Sequence, residues 1–183
     1  MSTPDTKYLD TFEATVHDAL VQHLLAQGRI DARRPDMPDI EERWQAIAQS
    51  YLPDGVREFA AYPTVSLGWM MYVGMALAQM WDEDWQKHSA VDDLYIPLRD
   101  KRGYDCMDEH IREDILHLSG DDYTTAEKFV GDCAQLAHHH LMREHLEPGT
   151  PLAFHAYVRC LHQLYLLGAA SRLFDLGYRM VKA

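Results

Sequence analysis

Residues 64–88, "TVSLGWMMYVGMALAQMWDEDWQKH", decide the fold class. Apolar side chains surround the axis here, the pattern of a helix enclosed by other helices rather than lying on a surface. The most apolar part, Val65 to Trp81, spans about 17 residues, includes Ser66 and Gln79, and runs straight into the acidic "DEDW". At ~1.5 Å per residue that is marginal for a bilayer and ordinary for a buried helix, so it is read as core and no membrane partner is expected. Gly68 and Gly74 let another helix approach closely, while Trp69, Met70, Met71, Tyr72, Met75, Met80 and Trp81 offer adaptable apolar surface for packing.

Working outward, the flanking segments are also helical. Thr3 caps and Pro4 starts a first helix whose apolar positions Tyr8, Leu9, Phe12, Val16, Ala19, Leu20 and Leu24 recur at helical spacing until Gly28 closes it. "RIDARRPDMPD" reads as a linker, and a helix from Pro38 to Tyr51 is expected to end where Pro53, Asp54 and Gly55 turn the chain, with a short helix over Val56 to Ala61. "SAVDDLYIPLRDKRGYD" is the longest irregular stretch; Asp105 then caps a helix to Leu118, broken by "SGDD". Two long helices, Tyr123 to Leu146 and Leu152 to Val181, follow. Gly149 stops one and Thr150 with Pro151 starts the other, so short a join that they are expected to be antiparallel neighbours. No alternating β-branched run bounded by turns predicts a strand. "WQAIAQSY" has the opening spacing of a tetratricopeptide repeat, but nothing recurs 34 residues on and the repeat is rejected.

Composition narrows the function classes. With 47% apolar and 25% charged residues over 183 positions, the chain suits one folded domain, residues 1–183. A net charge of −12 repels a phosphate backbone, and the one small basic group, Arg29, Arg33 and Arg34, is interrupted or followed by Asp, so nucleic acid is not expected as a partner. Cys106, Cys133 and Cys160 have no C-x-x-C spacing, and the N-terminus "MSTPDTKYLD" lacks the basic start and apolar core of a secretory signal; together they predict a reduced, cytoplasmic protein.

The histidines are the main candidates for chemistry. "QLAHHHLMREHL", residues 135–146, holds four of the chain's eleven. On a helical wheel Phe129, Val130, Cys133, Leu136, Ala137 and Leu141 share the buried side. His138 and His145 project away and His139 lies on the flank, whereas His140 continues the apolar line, with Glu144 one turn later. His155, Arg159 and His162 stand at i, i+4 and i+7 on the last helix. Antiparallel pairing would bring His140, Glu144, His155, Arg159 and His162 together as a polar network, as a divalent metal site, or as a small-ligand pocket with Arg159 as an anion clamp. Arg159 counts against a metal, and the chain has no Glu-x-x-His or His-Glu-x-x-His motif. In "HIREDILH", His110, Glu113, Asp114 and His117 read as a solvated face opposite Met107, Ile111, Ile115 and Leu118; His23 reads as structural. No G-x-S-x-G elbow, P-loop or dinucleotide fingerprint is present, and no catalytic residue is assigned.

The sequence therefore predicts an all-α single bundle of six or seven helices, with a buried central helix over Thr64 to His88 and a long antiparallel C-terminal pair. Its expected role is a non-enzymatic cytoplasmic interaction or regulatory module, self-associating as a homodimer or binding a protein partner, with no cofactor. The alternative is a metal- or small-ligand-binding bundle built on His140, Glu144, His155, Arg159 and His162.

Overall fold

A computed structural model describes residues 5–31 and 35–179. The predicted cap at Thr3 and Pro4, the cations Arg33 and Arg34, and the predicted helix end at Val181 lie outside the described residues. Among the described residues there are eight α-helices and no strand: α1 (Thr6–Ala26), α2 (Pro38–Glu41), α3 (Trp44–Ala61), α4 (Pro63–His88), α5 (Tyr95–Asp100), α6 (Met107–His110), α7 (Gly120–Arg143) and α8 (Pro151–Asp175). The chain is all-helical, as its periodicities predict.

α4 is the centre. Every residue from Leu67 to Ala78 except Trp69 is buried, and α4 packs on α8, α7 and α3. Near its start α4 meets the first half of α8, Ser66 against Tyr157, and further along it meets the last turns of α8, Gln79 against Arg172, with the helices crossing between. The two helices therefore run in the same general direction. Their backbones touch at two reciprocal glycines, since a Cβ on Gly74 would stand 2.0 Å from the Tyr165 carbonyl oxygen and one on Gly168 2.2 Å from that of Met71. Gly68 faces α7 at ordinary van der Waals distance from Val130 and Ala134. Helix α1 buries Leu9, Phe12, Val16, Leu20 and Leu24, the predicted stripe, against α8 and α7.

The arrangement of the last two helices differs from the sequence expectation. α7 and α8 are successive and joined by a short connection, but α8 packs chiefly on α4 and then α1, while α7 packs chiefly on α4. The cause is the burial of α8 over nearly its whole second half, from Gln163 to Leu173, which a single neighbour could not enclose.

Three local predictions are corrected. Pro53 does not end a helix; α3 runs through it to Ala61. The punctuation residues there have tertiary roles. Asp54 accepts hydrogen bonds from Tyr95 Oη at 2.8 Å and Arg99 Nη1 at 3.2 Å, and a Cβ on Gly55 would stand 2.4 Å from the Tyr51 ring. The irregular stretch contains α5, started where Asp93 accepts the backbone N–H groups of Tyr95 and Ile96 at 3.0 and 3.3 Å. The helix expected from Asp105 to Leu118 is α6 followed by a π-turn over Ile111–Ile115, with Leu116 N–H bonded to the Ile111 carbonyl at 2.8 Å. The extra residue in that turn shifts the facing of the residues within it, Arg112 among them, whereas His110 precedes it and lies on α6 beside the buried Met107 and Ile111. His110 and Arg112 are buried, at 5% and 2% exposure, although the wheel placed His110 on a solvated side.

No helix among the described residues is long and apolar enough to cross a membrane. The three cysteines are free thiols, two of them buried.

Candidate functional site

The predicted polar cluster is divided among different partners. Arg159 and His162 turn toward α1, where Glu13 is the hub. Arg159 Nη1 donates to Glu13 Oε1 at 2.7 Å and to Asp10 Oδ1 at 2.7 Å, and Gln163 Nε2 donates to Glu13 Oε2 at 2.6 Å. His162 Nδ1 lies 3.4 Å from the same carboxylate, and its ring stacks on Trp44 with centroids 4.7 Å apart. His17 Nδ1 extends the chain of contacts to Gln163 Oε1 at 2.8 Å. Burial alone would raise the Glu13 carboxyl; the hydrogen bonds from His162, Gln163 and Arg159 outweigh it and hold the group at about 2.

Glu144 has a different partner, accepting the hydroxyl of Tyr8 on α1. His140 is half-buried beside His139, and burial with the nearby Arg143 lowers its pKa. His155 is half-buried against Phe154. Among the described residues no hydrogen bond, ion pair or ring contact joins His140 or His155 to Glu144, Arg159 or His162. Nor does any group of three or more His, Cys, Asp or Glu among them take an arrangement that could hold a metal ion. What joins α8 to α1 is a polar network with most donors and acceptors engaged, and Glu13, which the sequence reading passed over, is its centre. The signal was its place beside the apolar stripe of α1, flanked by Phe12 and Val16.

His138 belongs to another grouping. Its ring lies 5.9 Å from Phe59, which lies 4.8 Å from Tyr157, so α3, α7 and α8 meet at this level. One turn further toward the same end stand Tyr62, Met142 and Phe154, exposed by 63%, 49% and 40%. His139, His145 and His155 lie along the same end segments of α7 and α8. His110 bonds Asp114 at 2.8 Å rather than joining a chelating face, and His23 Nε2 is buried 3.9 Å from Asp132. Compared with protein-family models, curated proteins and solved structures, the chain matches none.

Proposed function

We propose that the chain is a non-enzymatic interaction module of the cytoplasm that self-associates through the end of the bundle where α3, α7 and α8 meet. The observation that carries this reading is the presence of three large apolar side chains, Tyr62, Met142 and Phe154, left in solvent at one end. Aromatic and methionine side chains are the types enriched where protein surfaces pair, and a two-fold dimer needs only one self-complementary patch. The engagement of Arg159 and His162 with Glu13, and of Glu144 with Tyr8, supports the same reading, because those polar groups already serve packing between helices. Two buried free thiols suit a reducing compartment.

Sedimentation equilibrium over a micromolar to millimolar range tests it. The wild-type chain should show a concentration-dependent dimer, and the Tyr62→Ser, Met142→Gln, Phe154→Ser triple variant should stay monomeric with an unchanged helical spectrum. A wild-type chain that is monomeric throughout the range sinks the proposal.

A further inference from the structure

A second feature stands apart from that end of the molecule. Between α4, α7, α8 and the segment after α1 lies a cavity of about 330 Å³, the size of a small-molecule site. Its buried wall holds Arg172 of α8, only 9% exposed. The guanidinium is fixed from behind by neutral acceptors, with Nε donating to Gln79 Oε1 at 2.8 Å and Nη2 to the Leu116 carbonyl at 3.4 Å. Gln79 is itself held, since its Nε2 donates to Glu83 Oε2 at 2.8 Å, which points its oxygen at Arg172. Among the described residues no carboxylate forms an ion pair with Arg172, and Nη1 has no hydrogen-bond partner. Burial lowers the pKa of Arg172 against the pull of Asp175, Asp82, Glu83 and Asp122, none of them within ion-pair distance, and an anionic group entering the cavity would relieve the cost of that burial.

The other walls define the ligand further. Arg29, half-buried, lies over the Phe129 ring at 5.8 Å and supplies a second cation. Met75 and Phe129 are apolar and buried. Asp122 and Asp175 line the same cavity; burial pushes the Asp175 carboxyl up while Arg29 and Arg172 pull it back, and among the described residues neither carboxylate forms an ion pair or hydrogen bond with the two arginines. Both signs of charge therefore face the one cavity, together with apolar surface. A plain anion would also have to approach a chain of net charge −12, whereas a zwitterion meets no such repulsion.

We propose that this cavity binds a free amino acid or a similar small zwitterion, its carboxylate on Arg172 and Arg29, its carbon frame against Met75 and Phe129, and its ammonium between Asp122 and Asp175. Calorimetric titration of the full chain with leucine, methionine and γ-aminobutyrate, each beside its deaminated acid and its decarboxylated amine, tests the assignment. At least one amino acid should bind, about tenfold or more tighter than its acid or amine, because each missing charge leaves a charged protein group without its partner. Arg172→Gln should abolish binding. Asp122→Asn with Asp175→Asn should bring the amino acid down to the affinity of its acid. Because Arg172 is buried and its replacement can disturb folding, Thr125→Trp provides the second arm: Thr125 is an exposed residue of the cavity wall, and the bulky ring should block binding without changing the helical spectrum. Absence of binding by all the amino acids, equal binding of acid and amino acid, or full binding by Thr125→Trp overturns the proposal.

Discussion

Glu13 shows what a single residue contributes here. Its carboxyl titrates at about 2 instead of the ordinary 4.5, so the folded state favours the ionised form. That stabilisation is fully present above about pH 4.5 and is lost as pH falls toward 2, because the unfolded chain takes up the proton first. Glu13→Gln should therefore cost about 2 kcal/mol at neutral pH, and the gap from wild type should close through that acid window. Urea unfolding of both proteins from pH 7 to pH 2 measures it; a gap unchanged at pH 3 would show that Glu13 acts by packing. Side-chain direction was partly legible in the sequence. The wheel placed Phe129, Val130, Cys133, Leu136, Ala137 and Leu141 inward; five of the six are buried and Leu136 is half-buried against the core. It could not name the partners of Arg159 and His162, because a wheel sorts the faces of one helix and says nothing about which other helix, here α1, lies opposite.

At the scale of elements, the α4–α8 contact rests on Gly74 and Gly168. Each occupies a place where a methyl group would overlap a carbonyl of the facing backbone, so Gly74→Ala or Gly168→Ala must push the helices apart. Each should cost about 2–4 kcal/mol, toward the upper end of overpacking effects because backbone cannot rotate aside. Gly131→Ala is the internal control: nothing lies within 4 Å of its added Cβ, and helix propensity alone should stabilise the chain by about 0.5–1 kcal/mol. Thermal melting of the three variants checks both signs, and a mild effect at Gly74 would mean that the helices can separate at little cost. The all-round apolar pattern announced the central helix, and a close approach at Gly74 was readable within it. Pro53 and the π-turn were not readable, for the same physical reason. Local rules predict a break at Pro53-Asp54-Gly55 and a regular helix over Ile111–Ile115, but tertiary contacts override both. Asp54 is held by Tyr95 and Arg99, while Arg112, turned inward, is paired to Asp108 at 2.9 Å and stacked on Tyr123 at 4.1 Å.

Across the whole molecule, one continuous apolar cluster includes residues of all eight helices, from Leu9 of α1 and Ile40 of α2 to Leu173 of α8. Chain length and composition made one core legible. The extent to which α8 binds α4 and α1 rather than α7 was not, because a short connection sets which helices are near each other and leaves open which interface is largest. That distribution has a consequence for unfolding. Were the C-terminal pair self-contained, α7 and α8 could separate from the rest as a unit; with α8 wedged against α4 and α1, its departure opens the core on several sides at once. Unfolding should thus be one cooperative step. The tryptophans test this directly, since Trp44 reports on α3 where it stacks on His162 of α8, and Trp69, Trp81 and Trp85 report on α4. Urea curves followed by tryptophan fluorescence and by far-ultraviolet circular dichroism should superimpose, with the same midpoint and slope. A fluorescence change that precedes the loss of helix would mean that the packing around α3 and α4 opens before the helices melt, and that unfolding is not one step.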